Sequence, residues 1–261
     1  AHPREEPEEC GPLRAPWPGG GAEPGSPRVS TARDRSSALT GPQTFLTELP
    51  EATDPDRLRD GWSACGRYVR ARVLRSLPSI SAGQAYQHRG LLEQAWALPV
   101  ARQYAPLLSQ NFTSICGPTS AANVLRSIGV ETGRNPFRRF GVRAMSLDEV
   151  VEETAEVLPA GWRGSALRLR SIDALREQLR LSNEPGYRFI TNFSRAPLFG
   201  RGGGHHSPLG GYLEEEDLAF VLDVNAGYGP WLVSAERLFD AMNTGGWSGG
   251  LTRGLARFEL G

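Results

Sequence analysis

The chain has 261 residues, 39% apolar and 22% charged, enough to bury a sizeable core in one large domain or two small ones. Its 29 basic and 29 acidic residues cancel, which removes the whole-chain electrostatic case for a nucleic-acid or polyanion partner. Every cation is an arginine, so Schiff-base lysine chemistry and the Walker-type phosphate lysine are excluded. No apolar run reaches the roughly 20 residues that a membrane span requires, and three dispersed cysteines (Cys10, Cys65, Cys116) cannot form a disulfide scaffold or a closed zinc site.

Residues 1–43 hold 8 of the 20 prolines and show almost no apolar periodicity, which reads as a disordered arm. Residues 44–261 read as a single catalytic domain. The first residue is Ala1, not Met, which fits a trimmed or processed chain. The compartment stays open between bacterial cytoplasm and periplasm, the latter if a signal segment has been removed. Leu58, Trp62, Cys65, Val69 and Val73 have helical spacing after Asp54-Pro55, which makes Cys65 a packed thiol. A short helix is expected over Leu91–Leu98, stopped by Pro99. The next begins at or just after Cys116, with Ala121, Val124, Leu125 and Ile128 on one face and Gly129 as its left-handed stop. Ser146 and Glu149 form a capping box for a helix from Leu147 to about Leu158, and a further helix is expected from Ser171 to about Leu181.

The texture then changes. Tyr187–Phe193, Tyr212–Leu213 and Leu218–Val224 read as short strands, with Glu214-Glu215-Glu216-Asp217 as a hairpin turn. A helix over Ser234–Met242 and a closing strand over Gly254–Leu260 follow. Helices first and antiparallel strands later indicate an α+β fold, not a doubly wound parallel sheet.

Cys116 carries the most chemical information. A helix N-terminus presents unpaired N–H groups and partial positive charge, and both favour thiolate over thiol. Of the four histidines, His2 lies in the arm and His88 far upstream of the strands, whereas His205 and His206 stand where a glycine-rich loop enters a strand. Asp223 ends the apolar strand that follows and can hold an imidazole in one tautomer. Gln110, six residues before the cysteine, can join the Cys116 N–H in an oxyanion hole. Structural readings compete with each of these: a packed thiol, a surface His-His pair, a turn aspartate. The conjunction of Gln, Cys, His and Asp favours nucleophilic catalysis. His205 and His206 would supply two ligands to a metal but lack a third, so no metal site is expected. Asn111-Phe112-Thr113 and Asn192-Phe193-Ser194 match the glycosylation pattern by chance, since both fall in core or active-site segments.

The segment Gly204-His205-His206-Ser207-Pro208-Leu209-Gly210-Gly211-Tyr212, followed after an interval of 18 residues from His205 by Asp223 within Phe220-Val221-Leu222-Asp223-Val224, resembles phytochelatin synthases. The likeness is greatest to their short bacterial relatives in the papain-like cysteine peptidase clan. Gln110 with Cys116-Gly117, Thr191-Asn192-Phe193-Ser194-Arg195, Ala241-Met242-Asn243-Thr244 and Thr252-Arg253-Gly254 extend it, strongest over 187–260. The resemblance implies a papain-like fold with the active site between a helical part and an antiparallel sheet. In it Cys116 is the nucleophile, His205 rather than His206 the proton carrier, Asp223 its orienter and Gln110 the oxyanion donor. Arg195 and Arg253 anchor the charged ends of the substrate. The implied activity removes glycine from glutathione through a γ-glutamylcysteinyl thioester that water or a second glutathione resolves, in the setting of metal detoxification. No cofactor is implied; a metal enters only as a metal-thiolate form of the substrate. The expected partner is a small thiol peptide, with no nucleic acid and no membrane span, and a homodimer is compatible. The residues between Gln110 and Cys116 and the following Pro118 depart from the family pattern, and the cysteine-rich C-terminal region of plant members is absent. Two alternatives therefore stand: a papain-like peptidase for another peptide or amide, and a non-catalytic thiol-peptide or metal-binding relative.

Overall fold

The computed structural model describes residues 77–110, 112, 114–132, 142–245 and 253–261. The expected arm over 1–43 and the expected helix over 54–73, with His2, Cys10 and Cys65, lie outside the described residues. What is described falls in the compact unit Asp54–Gly261.

After a 3₁₀ turn at Ile80–Ala82, α1 spans Arg89–Ala97. His88 caps it, Nδ1 accepting from the Leu91 N–H at 3.4 Å, a structural use of that histidine. The helix ends before Pro99, as expected, and Pro99 then starts a second one. It occupies the first turn of α2 (Pro99–Gln103), where its missing N–H costs nothing. Helix α3 spans Cys116–Ser127, and Gly129 beyond it takes the left-handed conformation (φ 82°). The Ser146–Glu149 capping box forms, and α4 runs Leu147–Ala155. Helices α5 (Ile172–Leu181) and α7 (Ala235–Met242) start where serines can accept: Ser171 from Ala174 N–H and Ser234 from Arg237 N–H. A five-residue helix α6 (Arg195–Phe199), ended by Gly200 in the left-handed conformation, was not anticipated.

Six strands form one antiparallel sheet in the order β1-β6-β2-β3-β4-β5. Strands β2 (Tyr187–Ser194), β4 (Leu218–Leu222) and β6 (Gly254–Leu260) lie close to their expected positions. Strand β3 is much longer than its apolar signal, running Gly204–Leu213, so His205 and His206 belong to the ladder and not to an entering loop. The breakers that hid it are accommodated: Pro208 stands opposite Ile190, and the register with β4 shifts between Leu209 and Gly211. The edge strands β1 (Trp162–Leu167) and β5 (Pro230–Ser234) went unread, since neither alternates cleanly. Strand β1 also falls between helices α4 and α5, so the helices do not all precede the strands.

Both faces of the sheet are covered, and β4 shows how. Phe220 and Leu222 join Ala121, Val124, Leu125 and Val150 of α3 and α4 on one side. Ala219 and Val221 join Leu175, Leu179 and Leu238 of α5 and α7 on the other. Each fully buried Leu or Phe contributes about 1.5–3 kcal/mol. The arrangement is α+β, helices against an antiparallel sheet, as expected. Among the described residues no helix is long and apolar enough to cross a membrane.

Two polar clamps align the elements that bear the site. Asn123 of α3 accepts from Leu108 N–H (2.8 Å) and donates to the Leu108 carbonyl (2.9 Å), fastening the segment that leads to Cys116. Arg188 of β2 is buried and donates to Ser127 Oγ (2.9 Å), the Pro185 and Tyr187 carbonyls and Gln103, tying β2 to α2 and α3. Gly254 opens β6 where an added Cβ would lie 2.1 Å from the Leu167 carbonyl oxygen. Gly254→Ala is therefore expected to destabilise the protein by about 2 kcal/mol, read as a melting temperature several degrees lower. An unchanged melting curve would contradict the close β1–β6 approach.

Candidate active site

Cys116 is the first residue of α3, and no side chain caps that helix. Its first-turn N–H groups are thus left for the sulfur and for whatever the sulfur attacks. Ser114, two residues earlier, has φ 73°, a conformation uncommon outside glycine, at the bend that turns the chain into the helix. Upstream, the Gln110 N–H donates to the Val224 carbonyl at 2.7 Å, which pins Gln110 beside the end of β4. Its side-chain oxygen is buried without a hydrogen-bond partner among the described residues.

The sulfur meets two imidazoles, both on β3. Sγ lies 3.8 Å from His206 Nδ1, and His205, the residue before it on the strand, acts on the sulfur electrostatically. Burial alone would push the thiol up. The two histidines beside it outweigh burial and hold Cys116 well below the ordinary thiol range. Burial likewise opposes an imidazolium at His205, but Asp223 and Cys116 raise it above the usual histidine value. A sulfur lowered and an imidazole raised describe a thiolate–imidazolium pair.

His205 Nε2 is 2.9 Å from Asp223 Oδ1, which leaves Nδ1 for the sulfur side. Asp223 is 1% exposed and accepts from four residues. Besides His205 these are Arg195 Nη2 at 2.9 and 2.8 Å, Trp231 Nε1 at 3.0 Å and the Asn225 N–H at 2.9 Å. Burial would raise its pKa, but His205 first and then Arg195 and the Asn225 N–H keep the carboxyl below the usual range.

Arg195 departs from expectation. It was expected at the charged end of a substrate, yet it is 6% exposed, with Nη2 on both Asp223 oxygens, Nη1 without a hydrogen-bond partner among the described residues, and the Tyr228 ring at 3.8 Å and the Phe199 and Phe193 rings around it. The turn from β2 into α6 carries it against the carboxylate, so it neutralises Asp223. Arg253 is placed differently. It is half-buried, and it donates from Nε to Thr244 Oγ1 (3.1 Å) and from Nη1 to Asn192 Oδ1 (3.2 Å). Burial lowers its pKa, and the Cys116 charge acts in the opposite sense, which shows it to be an electrostatic neighbour of the sulfur. Gly204 makes the seat: a Cβ there would lie 2.3 Å from Arg253 Nη1.

Asn192 stands in the sequence only within the Thr191–Arg195 segment of the resemblance and as a chance glycosylation match, with no role of its own. It is buried, with Nδ2 on His206 and Oδ1 on Arg253, which confirms that it is no glycan acceptor. Asn111 lies outside the described residues. The register would have found Asn192, since it pairs with His206 on β3 and with Gly254 on β6. Trp231, on the unread β5, gave no signal. Among the described residues no group of three or more His, Cys, Asp or Glu side chains is arranged to hold a metal ion.

Three outcomes test this geometry. Alkylation of Cys116 by iodoacetamide, followed on the Cys116 peptide against pH, should reach half its plateau far below the pH of a simple thiol. His205→Asn should move that point up. Turnover should rise with the thiolate as pH increases and fall once His205 loses its proton above the ordinary histidine value. Arg195→Met leaves the buried carboxylate short of its cation and should cost about 3 kcal/mol of stability by denaturant unfolding. A change within a few tenths of that unit would mean the pair carries no weight.

Residues 74–255 match the family model described as Phytochelatin synthase. Similar curated proteins include glutathione gamma-glutamylcysteinyltransferase 1 of Triticum aestivum, 31% identical over 206 residues (70% of this chain, 41% of that one). Another is glutathione gamma-glutamylcysteinyltransferase 2 of Arabidopsis thaliana, 30% identical over 165 residues (56% and 36%). The chain thus spans about two fifths of the length of these relatives. Solved structures with some likeness include a double glycine motif protease from an AMS/PCAT transporter in complex with the leader peptide (TM-score 0.40, 16% identity, 60% of this chain and 91% of that one). The peptidase domain of Streptococcus ComA is similar to the same degree (TM-score 0.40, 17% identity, 59% and 98%). With a family match over more than half its length, the chain belongs to the phytochelatin synthase family.

Proposed function

We propose that the protein is a cysteine acyltransferase or peptidase that removes glycine from glutathione or a related γ-glutamyl peptide. The observation that carries this reading is a sulfur with lowered pKa at the start of α3 that faces the paired histidines of β3, the first of which, His205, has Nε2 held by the buried Asp223 carboxylate. The family match supports the substrate class.

In the reaction, Cys116 Sγ attacks the carbonyl carbon of the peptide bond that joins the cysteinyl residue to glycine, forming an S–C bond. The oxyanion meets the Cys116 N–H at the start of α3 and the Gln110 side chain, whose backbone is held against Val224. The C–N bond breaks as His205 passes its Nδ1 proton to the departing glycine amine. What remains is a γ-glutamylcysteinyl thioester on Cys116. Water, or the amine of a second thiol peptide, then attacks with His205 as base and frees the sulfur. Asp223 keeps the ring aligned through Nε2 in both halves, and Arg195 keeps Asp223 ionised. Arg253 has no partner for Nη2 among the described residues and stands beside the sulfur, placed to receive a carboxylate of the substrate.

Incubation of the reduced protein with glutathione should release free glycine, with γ-glutamylcysteine or its transpeptidation product, detected by mass spectrometry. Cys116→Ser should lower the rate at least about a thousandfold. Arg253→Met should raise KM for glutathione about tenfold or more. A protein whose Cys116 alkylates rapidly but which releases no glycine would point to another peptide or amide as substrate. A Cys116 no more reactive than a simple thiol would leave a non-catalytic relative.

A further inference from the structure

His206 has no part in the proton path just described, yet its Nδ1 stands 3.8 Å from the reacting sulfur. What the ring can do there follows from its neighbours. Arg253 Nη1 lies 3.2 Å from Asn192 Oδ1. An arginine has only donors, so the carboxamide must turn its oxygen to Arg253 and its NH₂ to the other side. On that side Asn192 Nδ2 contacts the His206 ring, closest to Nε2 and 3.4 Å from Nδ1. A donor closest to Nε2 favours the tautomer with a lone pair there, and an imidazole with a bare Nε2 carries its proton on Nδ1. The Nδ1–H then faces Cys116.

We propose that His206 is a second catalytic imidazole, which donates Nδ1–H to the Cys116 thiolate while the Arg253–Asn192 pair fixes its tautomer, and which passes no proton to the substrate. His205 and His206 thus divide the work. His205 has Asp223 behind it, an acceptor that supports a second ring proton. His206 has an amide N–H nearest its Nε2, a donor where His205 has an acceptor. The ring is 3% exposed, so water does not compete for the bond. The charged and titratable groups that face the sulfur are His205 and His206 from β3 and Arg253 at the start of β6, with Asp223 and Arg195 behind His205. The residues of α4 and its approach that pack on the start of α3, Met145 and Val150, are uncharged.

This inference rests on Cys116 being the nucleophile, and its test is read on the sulfur without substrate. The pH dependence of iodoacetamide alkylation at the Cys116 peptide would be compared for the full chain, His206→Asn, His206→Gln and His206→Phe. The Asn amide nitrogen falls near the position of Nδ1, and the Gln amide nitrogen near that of Nε2. His206→Asn should keep the low half-point. His206→Gln and His206→Phe should raise it by about one pH unit and slow alkylation near neutral pH about tenfold, the worth of one charge-assisted hydrogen bond. Asn and Gln are both polar and close in size, so their comparison holds even if the Phe variant folds poorly. Equal profiles for all four proteins, or a Gln variant that outperforms the Asn variant, would overturn the role of His206. Failure of the enzyme reading shows separately, as a His205→Asn profile that matches the unsubstituted protein together with no glycine release.

Discussion

A carboxylate stripped of water is tolerated only where donors surround it, and Asp223 is the point at which this structure meets that demand. At 1% exposure it is enclosed by the Arg195 guanidinium, the Trp231 indole, the Asn225 N–H and the His205 ring. Each donor comes from a different piece of the fold: the turn after β2, strand β5, the chain leaving β4, and strand β3. The carboxylate can stay charged only if these pieces meet, and His205 can be held as a proton carrier only if the carboxylate stays charged. Sheet assembly and catalytic competence are thereby tied to one side chain.

The opposite end of the site is built on a helix start. The uncapped first turn of α3 offers its N–H groups, Asn123 fastens the approach segment, and Gln110 is held to the end of β4. The sulfur sits between this positive helix end and two imidazoles. One of them is backed by a buried anion and the other by an amide whose direction a cation sets. Adjacent residues of one strand acquire different partners because their side chains leave the strand in different directions. His205 lies across from Phe193 and against the carboxylate, and His206 across from Asn192.

Much of the helical framework could be read directly. The capping box at Ser146, the serines before α5 and α7, and the helix beginning at Cys116 are local signals, satisfied within a few residues. The strands were legible only where apolar residues ran together, as in Leu218–Leu222. Strand β3 was masked by Gly204, Pro208, Gly210 and Gly211, residues that weaken strand signals but suit the close passage of Arg253 and the register shift. Edge strands β1 and β5 carry too little periodicity to be seen without their partners.

The order of Gln110, Cys116, His205 and Asp223 along the chain, and the chemistry their types allow, needed nothing beyond the residues themselves, because reactivity belongs to the side chain and a helix start is encoded locally. Which arginine neutralises and which one faces the sulfur, and that Asn192 stands between His206 and Arg253, were decided in three dimensions. Those contacts join residues 14 to 90 positions apart through the pairing of β2 with β3 and β6 and the packing of α3 across them. Burial then sets which of these charges must pair, and a one-dimensional pattern carries no record of that.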